Sequence, residues 1–150
     1  EFLLSNMAEK QHTSMKWRER MTFDGTTTDG HIVTVDAAAG HGGDGRGPKP
    51  IELLLTALAG CTGMDVISVL QKKREPVKGL EVFVEGQRAT DHPMIYTDIE
   101  IVYRVTGNVN PASLERAIEL SRTKYCGVQA MLGKAANITD RYEILPSAQS

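Results

Sequence analysis

The sequence is poor in the residues from which several common protein classes are built. It has only two cysteines in 150 residues, too few for the disulfide framework of a small secreted scaffold. Its four histidines are scattered, and none stands at zinc-finger spacing from a cysteine. There is no excess of basic charge. The net charge is −2 and the pI about 6.1, which argues against a nucleic-acid binder with its usual basic face. A phosphate-cradling G-x-x-x-x-G-K-[ST] run is absent, and no internal repeat recurs at a fixed period. The N-terminal stretch has no apolar h-region of a secretory signal. A cytoplasmic protein is therefore expected. Its thiols would be reduced by default, and any disulfide between them would be transient and chemical.

Apolar residues make up 41% of the chain and charged residues 24%, an ordinary globular balance. A chain of this length forms one domain and buries about 68–70% of its unfolded surface. Met7 is the expected native start, with residues 1–6 a cloning scar. Residues 7–14 are polar and expected to be flexible, which leaves 15–150 as a single domain.

Met15 to Phe23 reads as a first strand and His31 to Asp36 as a second, with Asp24-Gly25 and Asp29-Gly30 as turn dipeptides between them. The glycine-rich stretch to Pro48-Lys49-Pro50 is a loop. A helix opens at Pro50, with Glu52 at the positive end of its dipole, and closes near Lys72, Lys73 and Arg74 ahead of Pro76. Leu80 to Arg88 alternates as a half-buried strand. Ile95 to Val105 is a longer one, with Ile95, Thr97, Ile99, Ile101 and Tyr103 sharing a face. Asn110-Pro111 starts a second helix as N-cap and first helical residue. Cys126-Gly127 interrupts it, a third helix follows from Val128 to Ala136 with Asn137 as C-cap, and Ile138 to Leu145 is the last strand. The class is α+β, in the order β-β-α-β-β-α-α-β.

Ile51 to Leu70 is apolar over nearly the length that spans a bilayer. Glu52 and Asp65 lie within it, and an acid near a helix centre costs roughly 2.5–3.5 kcal/mol on insertion. A core helix of a soluble protein is the expected state, with no membrane partner. Apolar residues surround this helix (Leu53, Leu54, Leu58, Met64, Val66, Ile67), so it must be covered all round. One sheet of a single chain covers one face. An intimate homodimer is expected to cover the rest.

Gly40-His41-Gly42-Gly43-Asp44-Gly45 matches a dinucleotide fingerprint, but Pro48 and Pro50 delay the helix that the fingerprint requires. It reads as a loop. His12, His31, His41 and His92 read as solvated side chains. The two cysteines are the remaining candidates. A buried Cys is most often a small hydrophobe. Against that, Ala59, Gly60 and Gly63 leave room beside Cys61, and Cys126 opens the third helix, whose dipole is expected to lower a thiol pKa.

Pro48-Lys-Pro50-Ile-Glu52-Leu-Leu-Leu-Thr-Ala-Leu-Ala-Gly-Cys61, followed by Lys124-Tyr-Cys126-Gly-Val128 and the closing Asn137-Ile-Thr-Asp-Arg-Tyr-Glu-Ile, resembles the OsmC/Ohr family, nearest in pattern to its YhfA-like branch. The resemblance implies an intertwined homodimer with a long central helix in each subunit. It also implies thiol-dependent reduction of organic hydroperoxides, part of oxidative-stress defence. Cys61 would be the peroxidatic thiolate and Cys126 the resolving thiol. A dithiol or small thiol would be the reductant, and no metal, flavin or haem would be needed. In the Ohr pattern an acid directly follows the helix-opening proline. Here Ile51 holds that position and Glu52, the next residue, is the candidate third catalytic group. Arg18 or Arg20, two apart on the first strand and so on one face, is the candidate cation beside the thiolate. The apolar surroundings of Cys61 suit a hydrophobic hydroperoxide. The alternative is a non-enzymatic dimer of the same fold that binds an apolar small molecule at its interface.

Overall fold

The structure, a computed structural model, describes residues 10–147. The expected scar and the start of the flexible stretch lie outside the described residues. The elements run β1 (Thr13–Glu19), β2 (Thr22–Thr27), β3 (Ile32–Val35), α1 (Glu52–Lys72), β4 (Val77–Arg88), β5 (Tyr96–Gly107), α2 (Pro111–Leu120), a π turn (Ser121–Tyr125), α3 (Gly127–Leu132) and β6 (Asn137–Leu145). The α+β class and the long central helix are as expected. The chain divides into two compact units at Leu53/Leu54.

The first unit carries one strand more than expected. Its sheet is antiparallel, in the order β1-β2-β3. The segment read as one strand reverses on itself at Arg20, whose φ of 49° is left-handed. An arginine there leaves no Gly, Asn or Asp signal in the sequence. Asp24-Gly25, read as a turn, lies inside β2, opposite Lys16 and Met15. Gly25 is there for close approach: a Cβ on it would stand 3.0 Å from Ser14 O and run into the Met15 side chain. Strand pairing also starts earlier than expected, at Thr13↔Thr27 and Ser14↔Thr26.

The glycine-rich loop closes on Asp36 rather than on a phosphate. Asp36 is 2% exposed. Its carboxylate accepts from Thr22 Oγ1 at 2.9 Å, Ala37 N at 2.7 Å, Arg46 N at 3.1 Å and Asp44 N at 3.3 Å. Burial alone would push this carboxyl up, but the donors from Arg46, Thr22, Ala37 and Asp44 outweigh it and hold it below its ordinary value.

The second unit is a sheet in the order β4-β5-β6. β4 and β5 are antiparallel, with Val84 opposite Ile101. β6 lies parallel to β5, from Asp98↔Asn137 to Thr106↔Leu145. A parallel pair needs a crossover, and α2, the π turn and α3 supply it. β5 is central and covered on both faces: Ile101, Val102 and Tyr103 are each at most 1% exposed. The single-face pattern expected from Ile95 onward therefore does not hold, and Ile95 itself precedes the strand and is exposed. Asn110 caps α2 as expected, its side chain accepting from Ala112 N at 2.9 Å. Asn137 does not cap α3. Gly133 does, and Asn137 opens β6.

Helix α1 buries Leu58, Thr62, Val66 and Leu70, a stripe at four-residue spacing. Gly63 lets the helix approach β4: a Cβ there would stand 3.3 Å from Val82 Cγ2. By length and composition α1 could cross a membrane. Its other faces are only partly covered within the chain, with Leu54 and Met64 exposed.

Candidate active site

The stripe that fixes the roll of α1 also fixes Cys61 and Asp65. They stand at i and i+4, so their side chains are neighbours on one helix face. Asp65 accepts a hydrogen bond from Ser121 Oγ at 2.9 Å. Ser121 is fully buried and is the first residue of the π turn. That turn closes with Cys126 N donating to Ser121 O at 3.0 Å. Cys126 then caps α3, its sulfur accepting from Gln129 N at 3.2 Å. These contacts bring the Cys61 sulfur, an Asp65 carboxylate oxygen and the Cys126 sulfur within 4.8 Å of one another. Both cysteines are free thiols. Cys61 is half-buried and Cys126 buried.

Electrostatics here runs against the expectation for Cys126. Burial pushes its thiol up to about 11, and its hydrogen bond with Cys61 and the charges of Cys61 and Asp65 add to the rise. Only the Gln129 N–H opposes it. A helix of six residues has too little dipole to offset burial beside a carboxylate. Behind the pair, Tyr103 packs against α1 through a hydrogen bond with Thr62, whose hydroxyl also donates to Leu58 O at 3.0 Å. Burial pushes the Tyr103 phenol up to about 12.

A groove of about 490 Å³ opens beside Asp65. Val69, Leu120 and Tyr125 give it apolar walls, and Lys72 and Lys73 line it as well. It offers an apolar body with a cationic edge, and it reaches the thiol pair through Asp65, which lines it.

The other candidates have ion-pair partners of their own. Glu52 sits in the first turn of α1, where Lys49 Nζ pairs with it at 3.7 Å. It is not among the groups gathered around Cys61 and Cys126. Arg18 pairs with Asp24 at 3.1 Å. Arg20 is in the turn, not on the strand, so the two arginines do not share a strand face as expected. Its guanidinium pairs with Asp44 at 3.5 Å and donates to Gly42 O at 3.1 Å. All four histidines are exposed. Asp65 joins the two cysteines without being a candidate from sequence, where an acid inside an apolar helix signals chiefly a cost of membrane insertion. Its i+4 spacing from Cys61 was the available signal.

A family model described as OsmC-like protein matches residues 42–140. The chain belongs to the OsmC-like family. Protein YhfA of Escherichia coli (strain K12) is 41% identical over 132 residues, spanning 87% of this chain and 96% of that protein. A hypothetical protein from Aquifex aeolicus VF5 superposes with a TM-score of 0.83 at 35% identity, covering 94% of this chain and 100% of that one. An organic hydroperoxide resistance protein from Legionella pneumophila has a TM-score of 0.67 at 13% identity, covering 95% of this chain and 100% of that one. At that identity the likeness is one of fold. The family's fold is the frame that carries Cys61 on a long helix and Cys126 in the crossover after β5.

Proposed function

We propose that the chain is a thiol-dependent reductase of hydrophobic organic hydroperoxides, with Cys61 as the peroxidatic and Cys126 as the resolving residue. The observation that carries the reading is the approach of the two sulfurs, within 4.8 Å, from positions 61 and 126 of the chain. The name of the Legionella relative, an organic hydroperoxide resistance protein, supports the reaction class. The apolar walls of the groove beside Asp65 suit an alkyl or acyl hydroperoxide.

The Cys61 thiolate attacks the O–O bond. The leaving alkoxide takes a proton and departs as the alcohol, and Cys61 becomes a sulfenic acid. Cys126 attacks that sulfur, water leaves, and an intrachain disulfide forms. A dithiol or small-thiol donor of the reducing cytoplasm reopens it by exchange. The half-buried Cys61 meets the substrate, and the buried Cys126 waits behind it as a neutral thiol until Cys61 is oxidised.

The proposal includes a homodimer. Large apolar side chains stand exposed in each unit: Met15, Trp17 and Ile32 in the first, Leu54, Met64 and Met131 in the second. Such surface on a soluble chain is a mark of an interface. Sedimentation equilibrium is expected to give twice the chain mass. A stable monomer at micromolar concentration would contradict this part of the proposal.

The test of the reaction is consumption of cumene hydroperoxide with alternative thiol donors. Cys61→Ser is expected to abolish it with the fold intact. Cys126→Ser is expected to trap Cys61 as sulfenic acid and then sulfinic acid. Undiminished activity in both variants would refute the mechanism. A second reading is favoured by one observation, the rise that burial imposes on Cys126. In that reading both thiols are packing residues, and the dimer binds an apolar small molecule without chemistry.

A further inference from the structure

We infer that the reduced Cys61–Asp65–Cys126 cluster is a binding site for one thiophilic divalent cation of the zinc type. Two sulfurs and one carboxylate oxygen lie within 4.8 Å of one another. A tetrahedral ion with metal–sulfur bonds of about 2.3 Å holds its sulfur ligands roughly 3.8 Å apart. The sulfur pair therefore has to close by about 1 Å at most, and each sulfur–carboxylate edge by slightly more. Thiolate donors select zinc-like and other soft ions over magnesium and calcium, which require oxygen shells. Three protein ligands leave one position for water.

The frame around the cluster is the kind that metal ligands need. Cys61 and Asp65 project from one turn of a 21-residue helix. Asp65 is oriented by Ser121 Oγ at 2.9 Å, an outer-shell hydrogen bond. The Cys126 sulfur is held by the Gln129 N–H at 3.2 Å. Two thiolates beside a carboxylate would repel one another in a part-buried site, and a bound dication offsets that repulsion as the thiols ionise. Binding displaces the two thiol protons to solvent. The site exists only while the cysteines are reduced, since a disulfide consumes both sulfur donors. None of this requires that the pair turn over peroxide.

The test uses the full reduced chain, with Cd²⁺ as the spectroscopic probe and Zn²⁺ as competitor. The thiolate-to-cadmium charge-transfer band is expected to rise to one equivalent per chain and to be displaced by Zn²⁺. Cys61→Ser and Cys126→Ser are each expected to remove the tight phase. Ser121→Ala is expected to weaken binding roughly 10–100-fold, the usual cost of losing an outer-shell partner. Asp65→Asn is expected to weaken it at least as much. A parallel measurement needs no variant: Zn²⁺ is expected to protect both cysteines of the wild type from iodoacetamide, read by mass spectrometry. A missing band, a band unchanged in Cys61→Ser, Asp65→Asn binding as tight as wild type, or unprotected cysteines would each overturn the inference. Peroxidase assays in excess chelator report separately on the reaction, so failure of one reading is distinguishable from failure of the other.

Discussion

Oxidising the Cys61–Cys126 pair is expected to raise the thermal stability of the folded chain by an amount that the positions of the two residues set. A bond between them closes a loop of 65 residues, from position 61 to position 126. The loss of chain entropy in the unfolded state is then worth about 4 kcal/mol. For a domain of this size each kcal/mol moves Tm by about 2–4 °C, so the ceiling is a rise of about 8–16 °C. The observed rise is expected to fall below that ceiling. The sulfurs must close from as much as 4.8 Å to a bond of about 2.05 Å, and the strain of moving Cys126 off the Gln129 N–H subtracts from the gain. The assay compares reduced protein with protein treated with one equivalent of cumene hydroperoxide, by calorimetry and by peptide mapping under non-reducing conditions. Cys126→Ser is the control and is expected to show no rise. Absence of the Cys61–Cys126 cross-linked peptide, or an equal rise in Cys126→Ser, would refute the reasoning.

Tyr103, with its phenol pushed up to about 12 from 10.0, contributes stability that is fully present below pH 10 and is lost as pH rises from about 10 to 12, about 2–3 kcal/mol in all. Tyr103→Phe removes this dependence. A folded-state tyrosinate signal from Tyr103 near pH 10, read by difference absorbance against that variant, would contradict it. Asp36→Asn is expected to lower stability at neutral pH. Because the folded carboxyl is held below its ordinary value of 3.8, the gap to wild type closes as pH falls below about 4. Thermal unfolding across that range checks it, and a gap independent of pH would refute it. Asn110→Ala removes the α2 cap and is expected to cost about 1 kcal/mol by denaturant titration, with the rate of peroxide consumption unchanged.

What was legible in the sequence is what is locally encoded. Asn110-Pro111 announced α2 because cap and first residue act within one turn, and Cys126-Gly127 marked the break before α3. The turn at Arg20 was not legible, because the strands on either side hold an arginine in a left-handed conformation that its own chemistry does not favour. Gly25 misled for the opposite reason, as a residue of turns used for close packing. In the site, both cysteines stood out. Asp65 did not, because its role depends on a hydroxyl 56 residues away. The state of the Cys126 thiol depends on burial, which one helix end does not reveal.

The parallel pairing of β6 with β5 has a consequence for the order in which the molecule is made. Cys61 is synthesised 65 residues before Cys126. At roughly 5–20 residues per second it waits about 3–13 s for its neighbour to exist. Even then the crossover that carries Cys126 rests on α2 and the Asp65–Ser121 hydrogen bond until β6, further along the chain, docks beside β5. The thiol pair is thus consolidated late, once β6 has docked. During translation Cys61 is a lone thiol on a bare apolar helix, open to any oxidant or stray disulfide it meets. A nascent chain is therefore more open to oxidation at Cys61 than the folded one, in which the thiol is half-buried.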